Sequence, residues 1–151
     1  MGTDDPYDLR RFLNAQEPVF ATALDELRGG CKRSHWMWFV FPQMRGLGRS
    51  PTAELYGIAS LDEAQAYLAH PTLGPRLEQA TRTVLGVQGR TLHEIFGSPD
   101  DMKFRSSMTL FALATGQAES PYHEALARWC DGRMDDATMR LAGAPSPSPR
   151  E

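Results

Sequence analysis

The chain has 151 residues, which is enough for one domain with a buried core. It is 41% hydrophobic and 23% charged with a formal net charge of −3, which excludes a disordered chain and a general affinity for DNA or anionic membranes. No run of residues approaches the roughly 20 apolar positions of a membrane-spanning helix. The polar, acidic start and two widely separated cysteines, Cys31 and Cys130, predict a cytoplasmic protein with reduced thiols.

Helix signals follow one another along the chain with little sequence between them. Asp5–Pro6 predicts the start of a first helix, Pro18 separates it from a second, and Gly29–Gly30 ends the second. Further helix starts are predicted from capping residues and first-turn prolines: Ser60 with Glu63, Thr91 with Glu94, Ser98–Pro99 with two acids behind it, Ser120–Pro121, and Asp135. No strand alternation is evident. We therefore predict an all-α protein, a single multihelical domain of about six to eight helices at residues 1–143, followed by a disordered proline- and serine-rich tail at 144–151.

Two stretches indicate what the core contains. Residues 35–41 are rich in aromatic side chains, which allows a short strand, but Ser34 before them and Pro42 after them fit a short helix, which we favour. The longest predicted helix carries an apolar stripe at steps of four and three residues, which we expect to be buried: Phe104, Met108 and Phe111.

The basic residues of the chain are concentrated in one segment. Between Glu26 and Glu54 there is no acidic residue, while five residues are basic: Arg28, Lys32, Arg33, Arg45 and Arg49. Within this segment, Trp36 and Trp38 are aromatic platforms, and Gly46 and Gly48 permit close backbone approach. Such a combination can hold a planar ring together with a phosphate or carboxylate. The alternative is that the aromatic residues belong to the core and the arginines decorate the surface.

A second polar segment lies at residues 103–109. The apolar stripe leaves Lys103, Ser106 and Ser107 on one side of the helix and Arg105 on another. These residues are either a polar helix face whose hydroxyls bond to the preceding turn, or further groups that donate hydrogen bonds to an anion beside the first segment.

Sequence motifs for established chemistry are missing. The histidines and cysteines show no metal-ligand spacing, and no phosphate-binding loop, dinucleotide fingerprint or nucleophile elbow is present, so we predict neither a metal nor a cofactor. Glu54 follows the basic loop directly and is the candidate catalytic carboxylate. Its alternative role is that of an ordinary first-turn glutamate after Ser50–Pro51.

Several stretches of the chain together resemble one protein family. They are D-L-x-R-F at 8–12, K-R-S-H-W-M-W-F-V-F-P-Q-x-R-G-L-G-R-S at 32–50, Y-G-I at 56–58, E-A-x-x-Y-L-x-H-P-x-L-G-x-R-L at 63–77, I-F-G at 95–97 and K-x-R-S-S-M-T-L-F at 103–111. This pattern resembles the bacterial family catalogued as domain of unknown function 1810, sometimes labelled calpastatin-like. The resemblance implies a multihelical single-domain fold and brings no established activity. Both polar segments belong to the pattern.

We therefore predict a site for an anionic, ring-bearing small molecule, such as a nucleotide or an ADP-ribose-like compound. The predicted ligand-binding residues are the cations Arg33, Arg45, Arg49, Lys103 and Arg105, the hydrogen-bonding Gln43, the stacking faces Trp36 and Trp38, the glycines Gly46 and Gly48, and beside them Ser34, Tyr56, Ser106 and Ser107. If the protein is an enzyme, we expect hydrolysis of an N-glycosidic bond, with Glu54 and His35 as its catalytic residues. The competing hypothesis is a non-enzymatic module that binds protein or RNA through a basic-aromatic surface.

Overall fold

The structure, a computed structural model, describes residues 5–143. Ten helices form within this range: α1 (Arg10–Gln16), α2 (Phe20–Arg28), α3 (Met37–Val40), α4 (Pro51–Leu55), α5 (Leu61–Ala69), α6 (Leu73–Leu85), α7 (Leu92–Phe96), α8 (Asp100–Thr115), α9 (Pro121–Trp129) and α10 (Asp136–Ala142). The described residues contain no β-strand, only a single parallel bridge between Met44 and Ile58. The prediction of an all-α fold is confirmed. The predicted tail at 144–151 lies outside the described residues.

The described residues form ten helices where about six to eight were predicted, and several of the ten are very short. Helix α3 has 4 residues, and α4 and α7 have 5 residues each. A helix of barely one turn cannot show the 3.6-residue periodicity by which longer helices are recognised. The predicted short helix at 35–41 is confirmed, because α3 lies within this stretch, and the strand alternative is wrong.

Capping residues begin several helices as predicted, with two differences. Thr91 and Glu94 form a complete capping box at the start of α7. Ser60 caps α5 through the Glu63 amide, but the Glu63 carboxylate accepts from the Ala59 amide instead of closing a box. Helix α1 begins later than predicted. The Asp5 carboxylate accepts from the amides of Leu9 and Arg10, and regular helix starts only there.

Helix α8 is the centre of the fold. It has 16 residues and packs against α5, α7, α9 and α10. The predicted apolar stripe is confirmed, because Phe104, Met108 and Phe111 have no exposed surface. The Phe104 ring lies 5.1 Å from that of Phe41 and 5.0 Å from that of Phe96, measured between centroids. Such aromatic contacts attach the segment before α4 and helix α7 to the first turns of α8.

The chain between α3 and α5 is closed on itself by the bridge between Met44 and Ile58. The Arg45 amide donates to the Ile58 carbonyl, and the Ile58 amide donates to the Gln43 carbonyl, both at 2.8 Å. This pairing fixes the path of residues 43–45 relative to Ile58. Within residues 5–143, no helix is both long and apolar enough to cross a bilayer.

Candidate functional site

The two polar segments of the sequence meet at one cleft of about 340 Å³. We call it the Trp38 cleft. Its lining comes from α3 (Trp38), from the segment after α3 (Gln43, Leu47, Gly48), from the start of α8 (Pro99, Met102, Lys103, Ser106) and from the start of α10 (Asp135, Ala137). Five predicted site residues are among them: Trp38, Gln43, Gly48, Lys103 and Ser106.

A cation and an aromatic ring are in contact inside this cleft. The Lys103 ammonium lies 4.0 Å from the centre of the Trp38 ring, within the range of a cation–π interaction. The same ammonium is 3.2 Å from Asp100 Oδ1, while the Lys32 ammonium is 2.9 Å from Asp100 Oδ2. Burial raises the pKa of Asp100, but its bonds with Lys32 and Lys103 outweigh this and hold that pKa below its ordinary value. Two ammonium groups thus share one carboxylate, and the trio carries one net positive charge.

Two uncharged polar groups face the cleft. Gln43 is 8% exposed, and its side-chain amide makes no hydrogen bond to any residue of 5–143. Its main-chain carbonyl accepts from the Ile58 amide. The Ser106 hydroxyl donates to the Met102 carbonyl at 3.2 Å, which leaves its oxygen able to accept. The cleft therefore offers a neutral donor and neutral acceptors beside the Lys103 cation.

Gly48 is required for the shape of the cleft wall. A Cβ atom at this position would lie 2.7 Å from the Ala53 Cβ and 3.4 Å from the Trp38 ring. Gly46 has φ of +107°, a backbone conformation that favours glycine. Both predicted glycines thus shape the loop between Met44 and α4, and Gly46 itself does not line the cleft.

Ser34, Trp36 and the main-chain amide of Arg33 bind a carboxylate of the protein itself, while the predicted cation, the Arg33 side chain, is exposed. Glu26 accepts from the amides of Arg33 and Ser34, from the Ser34 hydroxyl and from the Trp36 indole N–H, at 2.5–2.9 Å. Burial opposes its ionisation, but these four bonds prevail and lower the pKa of Glu26 to about 2. Trp36 has no exposed surface, so it offers no stacking face in this structure.

Two predicted residues, Arg45 and Glu54, line a different cleft of about 380 Å³, which we call the Arg11 cleft. The Arg45 guanidinium donates to the carbonyls of Glu54 and Gly57, both at 3.2 Å. Glu54 is an exposed first-turn residue of α4 and does not line the Trp38 cleft. Tyr56 packs its ring against Phe12 and Phe39, and the remaining predicted residues of this region, His35 and Arg49, are exposed.

Hydrogen bonds occupy every donor of the Arg11 guanidinium in this cleft. The Arg11 guanidinium donates to the Glu63 carboxylate at 2.7 Å and to four carbonyls: those of Tyr7, Asp8, Leu55 and Gly57. The side chains of Arg11 and Glu63 are only 10% and 3% exposed. This pair ties α1 to α4 and α5, and its donors are occupied.

The remaining predicted residues of α8 support the cleft from behind. The Arg105 guanidinium donates to the carbonyls of Arg133 and Met134, and the Asp135 amide donates to the Thr109 hydroxyl. These bonds hold the start of α10 against α8, where it forms one wall of the Trp38 cleft. The Ser107 hydroxyl is fully enclosed and has no partner within residues 5–143.

Sequence analysis missed Asp100, Lys32 and Asp135 as parts of the site. Asp100 and Asp135 follow helix-start patterns, and this capping role concealed a second one. The three-residue step from Asp100 to Lys103 is the only local signal, since it places the two on one helix face. Residues 5–143 contain no cluster of three or more His, Cys, Asp or Glu side chains arranged to hold a metal ion.

Comparisons with known proteins agree with this architecture. The chain is 56% identical to the conserved hypothetical protein Rv1873 from Mycobacterium tuberculosis, whose crystal structure it matches with a TM-score of 0.90 over 93% of this chain and 100% of that one. No curated protein is significantly similar in sequence. The family model described as "Protein of unknown function (DUF1810)" matches residues 6–142. The chain therefore belongs to the DUF1810 family.

Proposed function

We propose that the Trp38 cleft binds a small anionic molecule that carries a planar ring, as a nucleotide or an ADP-ribose-like compound does. The observation that carries this proposal is the Lys103 ammonium lying 4.0 Å above the Trp38 ring inside the cleft. A cation, an aromatic face and hydrogen-bonding groups in one concavity are what such a ligand requires.

Binding begins when the Lys103 ammonium leaves Asp100 and the Trp38 ring and pairs with the anion. Asp100 stays neutralised after this exchange because Lys32, whose side chain is 8% exposed, keeps its own bond to the second carboxylate oxygen. The movement of Lys103 also uncovers the face of Trp38. The ring of the ligand then stacks on that face, with Leu47 and Met102 as apolar neighbours.

The size of the cleft favours a ligand of mononucleotide size. Its volume of about 340 Å³ lies at the lower end of the range for small-molecule sites, roughly 300–1,000 Å³. A longer compound of the ADP-ribose type would extend beyond the cleft at one end.

A hydrolytic version of this proposal needs a carboxylate that stabilises positive charge on the sugar. It assigns that role to Asp135 instead of Glu54, because Asp135 lines the Trp38 cleft and Glu54 lines the Arg11 cleft. One oxygen of Asp135 caps α10 through the amide and hydroxyl of Thr138, while the other makes no hydrogen bond within residues 5–143. Release of free base from an N-glycoside, abolished by Asp135→Asn, is the result expected of an enzyme.

The interaction-module hypothesis has less support. It relies on tryptophans displayed at a surface, yet Trp36 is fully buried and Trp38 lies partly buried in a concave cleft.

The decisive experiment is a titration of the purified protein with AMP, ADP-ribose and ribose 5-phosphate, read by melting temperature and calorimetry. A ligand at 100 times its dissociation constant stabilises the fold by about 2.7 kcal/mol. We expect stabilisation of the wild type by at least one ring-bearing anion and its loss in Lys103→Met. The matched control is Arg10→Met, which removes one exposed cation outside the cleft. Equal binding by Lys103→Met and the wild type, or no binding of any probe, would contradict the proposal.

A further inference from the structure

The side-chain amide of Gln43 has unused hydrogen-bonding capacity. The residue is 8% exposed, and neither its amide nitrogen nor its amide oxygen is bonded within residues 5–143. The polar side-chain atoms that are both unpartnered and fully enclosed in this range are Ser107 Oγ and Trp129 Nε1. The Gln43 amide is not among them, so its nitrogen and oxygen still reach solvent.

The Trp38 cleft is the side from which a partner can reach this amide. Gln43 borders the cleft and also a narrow gap between Trp38 and Tyr56. That gap has no room for a water molecule, whereas the cleft has about 340 Å³. The amide is therefore closed off on the protein side and open on the cleft side.

The main chain holds Gln43 in position. Its carbonyl accepts from the Ile58 amide at 2.8 Å, and its neighbours Pro42 and Met44 are buried. Burial restricts the rotamers of this side chain, which is 8% exposed, so its amide has little freedom to move away from the cleft. Preorganisation of this kind is typical of groups that confer specificity, since little freedom is lost on binding.

We infer that Gln43 recognises the edge of the ligand's ring, and that this edge carries a hydrogen-bond donor next to an acceptor. A primary amide presents one donor and one acceptor side by side, so it pairs with an amidine or amide edge in two parallel bonds. Nucleobases have such edges, and so does an aromatic carboxamide. This inference rests on the proposed function: Lys103 binds the anionic group, Trp38 stacks on the ring, and Gln43 selects the ring by its edge.

The alternative is that Gln43 only lines the cleft and makes no hydrogen bond to the ligand. An amide that is nine-tenths buried without a partner destabilises the fold relative to an apolar side chain of the same shape. If so, the protein would tolerate Gln43→Met, and this variant would bind every ring-bearing anion as the wild type does.

The test compares nucleotides that share a phosphate and differ at the ring edge. The probes are AMP, GMP and purine riboside 5′-monophosphate, which lacks the exocyclic amino group, with ribose 5-phosphate as the ringless reference. We expect the wild type to bind AMP about tenfold more tightly than purine riboside 5′-monophosphate, the typical gain from a bidentate pair. Gln43→Met abolishes this preference.

Gln43→Glu changes the preference in a way that a structural role would not. Its carboxylate only accepts hydrogen bonds, so it pairs with the two adjacent donors of guanine and poorly with adenine. The ratio of GMP to AMP affinity rises about tenfold in this variant. The added negative charge affects both nucleotides equally and cancels in the ratio.

The possible failures are distinguishable. If the wild type binds AMP and GMP through Lys103 but neither Gln43 variant changes the preference between probes, this inference is overturned and the proposed function stands. If no probe binds the wild type, the proposed function falls and the inference falls with it. Circular dichroism verifies that each variant is folded, and Gln43→Met alone decides the outcome if Gln43→Glu does not fold.

Discussion

The Arg11 cleft and the Trp38 cleft are similar in volume and opposite in chemistry. In the Arg11 cleft, one guanidinium is bonded to a carboxylate and to four carbonyls. In the Trp38 cleft, Lys103 shares the Asp100 carboxylate with a second cation, Lys32, and a buried amide has no partner within the described residues. A charged group whose hydrogen bonds are all made within the protein is typical of a structural ion pair. A buried polar group without a protein partner is typical of a binding site. The residue types alone do not separate the two, since both clefts contain basic, acidic and aromatic side chains.

The largest effect on stability is expected from Arg11→Met. This change leaves the Glu63 carboxylate, which is 3% exposed, without its cation. Loss of one partner of a buried ion pair costs about 3–5 kcal/mol. Urea denaturation measures this loss, and the exposed neighbour Arg10→Met is the control. The double variant Arg11→Met with Glu63→Leu should regain part of the loss. A single variant within about 1 kcal/mol of the wild type would show that the pair does not stabilise α1.

A pH-dependent effect of intermediate size is expected from Glu26→Gln. The carboxylate accepts four hydrogen bonds, and its replacement by an amide costs about 2 kcal/mol at neutral pH. The folded pKa of about 2 lies below the ordinary value of 4.5, so this stabilisation is complete above pH 4.5 and is lost as the pH falls toward 2. Urea titrations of both proteins across this range measure the difference, and a pH-independent gap would contradict the assignment.

The smallest effect is expected from Arg45→Ala, which sharpens the distinction between the two clefts. Arg45 is exposed and donates two bonds of 3.2 Å to the end of α4, so its loss costs about 1 kcal/mol. Its effect on the affinity for AMP should be smaller than that of Lys103→Met. Calorimetry of the two variants side by side checks this order, and the reverse order would move the anion site to the Arg11 cleft.

Local chemistry explains which parts of the fold could be predicted. Helix α8 was predicted from its periodic stripe, and the capping box of α7 from two side chains three residues apart. The four-residue α3 was predicted from its flanking Ser34 and Pro42, whereas the path of the chain at Gln43 depends on hydrogen bonds with Ile58, which is distant in sequence, and no local pattern records them.

The candidate site shows the same limit. Residue types identified the two segments that meet at the Trp38 cleft. They did not show that Glu26 accepts hydrogen bonds from the Arg33 amide and the Trp36 indole. Glu26 lies just outside the segment, and the segment was conspicuous because it contains no acidic residue. They also did not separate Lys103 from Arg105, which are two residues apart on α8 and face different surroundings.

The ammonium over Trp38 has a spectroscopic consequence. The emission of an indole depends on the charges near its ring, and the chain has three tryptophans. Trp36 has no exposed surface, and Trp129 does not line the Trp38 cleft. Only Trp38 carries the Lys103 cation on its face. Withdrawal of that cation by an anion therefore removes a charge from the face of the Trp38 indole and changes its fluorescence, so the protein contains its own optical reporter of the cleft.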